Sequence, residues 1–273
     1  MTNHPTDPTL PEIVAISTVD LEERRDAFAA MLRSLPPEIR LVVVVRGVIE
    51  VDAELRDMMP ERVSIIRVSS ASLSAARNLA LEEVATWGLG DSAVIAFPDD
   101  DCTWSENTGP ALHRLFSDPH LNLVIGRYRP RDEEFAPHFP SQPGELTPRV
   151  VLTRGASIVI FTSAHTALSL QFDEEMGVGA RYPSGEDSNF ALRALALHGS
   201  GRYEPEVICF HRYEHEPDPS RKIIAGFIMA RHSRRFPSLL LPLAQWCLRW
   251  TFRGPDRARA IKLTAKGFLS QWS

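Results

Sequence analysis

Two hydrophobic rhythms alternate along the first half of the chain. Residues 39–45 (IRLVVVV) run apolar and β-branched with no polar alternation, as expected of a strand covered on both faces. Shorter runs of the same kind lie at 12–18 (EIVAIST), 63–68 (VSIIRV) and 93–97 (AVIAF). Between the first two the spacing becomes helical. Leu21, Phe28, Met31, Leu32 and Leu35 share one face over 21–35, and Pro36 and Pro37 stop that helix. A second helix is predicted over 74–87, ending near Gly88. The rhythm predicts an α/β fold, an open and mostly parallel sheet flanked by helices on both sides. Ligands of such sheets sit beyond the carboxyl ends of the strands.

The pattern then loosens. A helix is predicted at 107–117 and a strand at 121–126. Residues 129–148 hold five prolines and several acids, which predicts a long loop, and loops of that length are usually mobile or functional. A strand at 156–161, a helix at 187–198 closed by Gly199 and a strand at 205–210 ending at His211 complete the body. From about 220 onward the pattern predicts two or three helices broken at Pro237 and at Gly254-Pro255. The chain therefore divides into a flexible N-terminus (1–11), an α/β body (12–215) and a helical C-terminal extension (216–273). No internal repeat or low-complexity tract is present.

With 44% apolar and 24% charged residues, the composition excludes a disordered chain, a collagen-like repeat and a disulfide scaffold. No stretch predicts a transmembrane helix, and no secretory signal is visible at the N-terminus. Cys102, Cys209 and Cys247 are odd in number, far apart and without zinc spacing, which predicts reduced thiols and a cytoplasmic protein. Charge changes the picture more. Residues 220–273 hold eleven Lys or Arg and one acid, Asp256, a balance of +10, while the other residues balance at −15. A basic tail on an acidic body implies an anionic partner.

Four constellations carry candidate chemistry. Asp99-Asp100-Asp101 ends an apolar strand, and three adjacent carboxylates repel one another unless a cation compensates them. Oxygen ligands suit Mg²⁺ or Mn²⁺ shared with a substrate phosphate; a solvated acidic turn is the bland alternative. Ser74-Ala75-Ala76-Arg77-Asn78 opens a helix and offers an anion site, or simply a capped helix with a surface arginine. Gly185-Glu186-Asp187 also opens a helix, where the carboxylates either complement its dipole or accept a proton from a substrate hydroxyl. His211 ends the last strand of the body, as a structural histidine or as a further metal ligand.

The order of these motifs, with Phe172-Asp173-Glu174 and Tyr182-Pro183 between them, resembles the family 2 glycosyltransferases over residues 12–215. The resemblance implies the GT-A fold and inverting, metal-dependent transfer of a sugar from a nucleotide-sugar donor to a glycan or lipid-linked acceptor. It implies that Asp99, Asp101 and His211 hold the metal, Mn²⁺ or Mg²⁺. Asp99, Asp100, Arg77 and Thr18 fall at the donor. Asp187 takes the place of the general base, with Glu186 and Gly185 at the acceptor and 172–186 as the acceptor loop. Two strand ends depart from the family pattern: Ser17-Thr18-Val19-Asp20 replaces T-x-N-R, and Arg46-Gly47-Val48-Ile49 replaces the acidic patch that reads the base.

Competing functions find less support. A non-catalytic nucleotide-sugar or glycan-binding module would not need the DDD cluster, the ED pair and the histidine together. A nucleotidyltransferase would want a glycine- and lysine-rich phosphate loop, absent from 17–25 (STVDLEERR). In the tail, Phe236, Leu239, Leu240, Leu241, Leu243, Trp246, Leu248, Trp250 and Phe252 lie among arginines. That composition fits an amphipathic surface on an anionic membrane, at the inner face, or an apolar face packed on the body or in a homodimer. Nucleic acid is excluded as partner, because the aromatics group with leucines and are not spaced as stacking platforms.

Overall fold

The computed structural model describes residues 10–136, 138–211, 219–253 and 257–270. Most of the N-terminal segment, His215 and the Gly254-Pro255 break lie outside the described residues.

The chain opens as the hydrophobic pattern predicts. Strand β1 (Ile13–Asp20) feeds helix α1 (Leu21–Ser34), whose N-cap Asp20 accepts from the Glu22 amide. Strand β2 (Arg40–Arg46) follows, with Leu41 through Val45 at 0–1% exposure, covered on both faces. Helix α2 (Ala53–Met58), strand β3 (Val63–Val68) and helix α3 (Leu73–Ala85) come next. Strand β4 (Val94–Ala96) leads through the aspartates to β5 (Thr103–Trp104), α4 (Thr108–Phe116) and β6 (Leu123–Arg129). Then follow β7 (Gly144–Glu145), α5 (Pro148–Arg154), β8 (Ile160–Ser163) and α6 (Ala164–Ser169). Helix α7 (Glu186–His198) and β9 (Arg202–Phe210) close the body, and α8 (Pro219–His232), α9 (Leu240–Arg253) and α10 (Arg257–Leu269) form the extension.

The strands form one nine-stranded sheet in the order β3-β2-β1-β4-β8-β6-β9-β5, with β7 also paired to β9. Ladder directions place β3, β2, β1, β4, β6 and β9 parallel to one another, and β8, β5 and β7 opposed. The sheet is therefore mostly parallel in direction. The chain winds outward from β1 to β2 and β3, then returns to β4 on the other side of β1. That reversal opens a crevice at the carboxyl ends of β1 and β4.

Two expectations are refined. The 129–148 loop is tied down: Phe139 is buried against Tyr128, the Tyr203 hydroxyl donates to the Pro140 carbonyl at 2.8 Å, and β7 adds a short strand to β9. Of the placements expected for the extension's apolar side chains, packing on the body accounts for part of them. Ile223, Ile224, Phe227, Ile228, Ala260 and Leu263 belong to the same hydrophobic cluster as the sheet. Among the described residues no helix is long and apolar enough to cross a membrane. The cysteines are free thiols, with Cys102 and Cys209 buried.

Candidate functional site

Strands β1 and β4 run parallel with Ala15 beside Ala96, so Thr18 and Asp99, each three residues further on, emerge at the same end of the sheet. The turn after β4 carries Asp99, Asp100 and Asp101, all half-buried. Next to it β5 pairs with β9, Thr103 opposite Phe210, which brings His211 back to the same turn. One ligand atom each from Asp99, Asp101 and His211 lies within 4.8 Å of the others. Two carboxylates and an imidazole converging at that spacing match the donor set for Mn²⁺ or Mg²⁺.

The carboxylates are compensated from three sides. Arg24 donates to Asp101 Oδ2 at 2.7 Å, and His211 Nε2 lies 3.1 Å from Asp101 Oδ1. The His211 hydrogen bond, with help from Arg24, holds the Asp101 carboxyl down at about 2 against the effect of burial. Asp100 differs: burial and the adjacent Asp101 push it up to about 6. Asp99 is also pushed up by its burial, although Arg77 opposes this.

Arg77 joins the two halves of the site. Its side chain, 3% exposed, donates to Asp99 Oδ1 at 3.1 Å and to Asp187 Oδ1 at 3.0 Å, with Glu186 Oε1 at 4.0 Å. Burial pulls its pKa down, and Asp187, Asp99 and Glu186 together outweigh that. This placement follows from α3. Ser72 caps the helix by accepting from the Ala75 amide, and Arg77 then lies in the second turn, aimed into the crevice. On the same helix Asn78 donates to the Phe172 carbonyl and accepts from the Phe172 amide, pinning the start of the 172–186 segment.

That segment ends at Gly185, whose φ of +91° suits glycine and turns the chain into α7. Asp187 keeps 22% of its side chain open to the crevice. Glu186 is buried beneath Gly177, its Oε2 has no hydrogen-bond partner, and burial next to Asp187 pushes its carboxyl up to about 7. At the end of β1 the Ser17 and Thr18 hydroxyls are likewise buried without partners.

The structure thus gathers Thr18, Arg77, Asp99, Asp100, Asp101, Gly185, Glu186, Asp187 and His211 around one crevice. Sequence reading missed Arg24 and named Ser17 and Arg46 only as departures from the family pattern, whereas Arg46 acts electrostatically on Asp100. The signal for Arg24 was available: α1 starts directly at the carboxyl end of β1, so its first turns rise beside the crevice.

No protein-family model matches the chain, and no curated protein matches it in sequence. Solved structures do. S. aureus TarS aligns over 95% of this chain at a TM-score of 0.56 and 14% identity, and the chain spans 43% of that protein. TarS residues 1–349 in complex with UDP-GlcNAc align over 95% of this chain, and 72% of theirs, at 0.53 and 14% identity. The mannosyltransferase PcManGT from Pyrobaculum calidifontis, in complex with GDP-Man and Mn²⁺, aligns over 98% of this chain and 78% of its own at 0.55 and 16% identity. The chain therefore has a glycosyltransferase fold of the GT-A type. At these identities the likeness establishes the architecture, and the chemistry has to be argued from the crevice.

Proposed function

We propose that the protein is a metal-dependent, inverting glycosyltransferase that moves a sugar from a nucleotide-sugar donor to a glycan or lipid-linked acceptor. The observation that carries this reading is the chain of contacts from His211 through Asp101 and from Asp99 through Arg77 to Asp187. One arginine thereby links a carboxylate of a cluster that could hold a metal to a second carboxylate that is 22% exposed. The nucleotide sugars and Mn²⁺ named for the similar structures are consistent with such a site.

Asp99, Asp101 and His211 would hold Mn²⁺ or Mg²⁺, which when bound neutralises charge on the donor diphosphate. The unpartnered hydroxyls of Ser17 and Thr18 supply hydrogen-bonding groups for the nucleoside. Asp100 stands beside the donor ribose in this reading. Asp187 accepts the proton of an acceptor hydroxyl as its oxygen forms a bond to the anomeric carbon. The bond from that carbon to the diphosphate oxygen breaks on the opposite face, the electron pair leaves with the nucleoside diphosphate, and the anomeric centre inverts. Arg77 fixes the distance between the two ends of this displacement, a positioning role in near-attack geometry. Gly185 and Glu186 shape the acceptor end.

The test is transfer or hydrolysis of UDP- and GDP-sugars by the purified protein with Mn²⁺, compared with Asp187→Asn. Turnover that disappears in the variant supports the reading. Donor binding without turnover in the unaltered protein would make it a non-catalytic nucleotide-sugar-binding module.

A further inference from the structure

The C-terminal helices have two faces. Leu239 and Leu243 are buried, and Trp246 packs over Gly226, where an added Cβ would meet its ring at 2.4 Å. That inner stripe is used by the fold. The outer one is not. On α9, Leu241 and Leu248 lie seven residues apart, hence on one face, and are 68% and 60% exposed. On the adjacent α10, Ile261 and Phe268 repeat the spacing at 56% and 41% exposure, with Leu269 at 73%. Soluble monomers seldom expose so many large apolar side chains on neighbouring helices.

Charge selects the occupant. Arg249 and Lys262 are exposed and directly follow Leu248 and Ile261, and between residues 219 and 270 the only Asp or Glu in the sequence is Asp256. A second copy of the chain seated symmetrically on this face would bring two such basic surfaces together, and they repel. An anionic bilayer satisfies both features: the apolar side chains enter the interface and the basic ones meet the headgroups.

Helix α10, together with α8, also grips the acceptor segment. Lys266 of α10 donates to the Tyr182 hydroxyl at 2.8 Å and to Glu175 at 3.3 Å. Arg231 of α8 holds Asp173 at 2.5 Å, and Ile224 and Ile228 close against Gly185. We propose that the outer face of α9 and α10 seats the protein on an anionic membrane surface. Resting on the sugar-transfer reading, this makes the acceptor a lipid-linked glycan presented at that surface.

Co-sedimentation of the full-length protein with phosphatidylglycerol-containing vesicles and with pure phosphatidylcholine vesicles tests it. Binding is expected on the anionic vesicles at least about tenfold above the neutral ones, falling about tenfold between roughly 0.05 M and 0.5 M salt. Leu241→Ser with Leu248→Ser and Phe268→Ser should lower it by a similar factor, with nucleotide binding and the thermal midpoint unchanged. Equal binding to both vesicle types, no binding at low salt, or wild-type binding by the triple variant overturns the proposal. So does a dimer in solution that the triple variant dissolves, which would give the face to a second copy. These failures leave sugar transfer to a soluble acceptor standing. Vesicle binding without donor binding would instead remove the sugar-transfer reading alone.

Discussion

Asp187 and Glu186 are neighbours in sequence with opposite environments, and the proposed function gives them different work. Asp187 is paired with Arg77 and open to the crevice, so it is available to an acceptor hydroxyl. Asp187→Asn keeps the shape and removes proton affinity. Donor affinity in a titration should stay near normal while turnover falls by about two orders of magnitude or more, as for loss of a general base. Near-normal turnover in Asp187→Asn with loss in Glu186→Gln would move the base to Glu186. Glu186 itself carries a stability signature. Its carboxyl lies at about 7 in the fold against an ordinary 4.5. A raised carboxyl favours the fold while protonated, so its contribution is complete below pH 4.5 and is lost as pH rises through about 7. Glu186→Gln should therefore raise the thermal midpoint at pH 8 by about 3 °C or more, with little effect at pH 4. An equal shift at both pH values would contradict this. At this scale the sequence was informative where residues end strands or open helices, as with Asp99, Asp101, His211 and Arg77. Arg24 was legible only from the place of its helix, which starts directly at the end of β1, and not from its own type, which matches the other charges of an exposed helix face.

Elements fix these residues through turns and contacts that a hydrophobic pattern does not encode. The turn at Gly185 is the clearest case. Its φ is +91°, and an added Cβ would meet Ile228 Cδ1 at 2.6 Å and Ile224 Cγ2 at 2.8 Å. Gly185→Ala combines backbone strain with overpacking against α8 and should destabilise the protein by about 2–4 kcal/mol in urea denaturation. Gly88→Ala is the comparison, with φ +62° and nothing within 4 Å of the added atom. It should show strain alone, about 1 kcal/mol. Equal costs would show that α8 does not press on the turn. Long periodic elements were legible, and β3 was found to the residue at Val63–Val68. The short α2, α6 and β5 were not. A six-residue helix has too few turns to show a period, and the two-residue β5 exists only because β9 lies beside it.

At the scale of the whole molecule, the extension shares the largest hydrophobic cluster with the sheet. Ile223, Ile224, Phe227 and Ile228 are each at most 3% exposed and join the cluster beneath the sheet. Each such side chain contributes roughly 1.5–3 kcal/mol on burial, and a typical domain has only about 5–15 kcal/mol in total. A chain cut before residue 219 should therefore lose cooperative unfolding or become insoluble, and a truncated protein with an unchanged thermal midpoint would contradict that. The sequence placed the boundary at 215 from the last strand, the helical pattern beyond it and the extent of the family resemblance, none of which reports packing across it. The predicted sheet, its crevice and the carboxylates there agree with the structure because all three follow from strand order. The central claim is that this crevice is a metal-dependent nucleotide-sugar site. Its most direct test is calorimetric titration of UDP and GDP into the protein with Mn²⁺ and with EDTA, repeated on Asp101→Ala. The account predicts that Mn²⁺ tightens nucleoside diphosphate binding at least about tenfold, and that Asp101→Ala loses this gain while remaining folded. Binding that is equally tight in EDTA, or that Asp101→Ala leaves untouched, would contradict it.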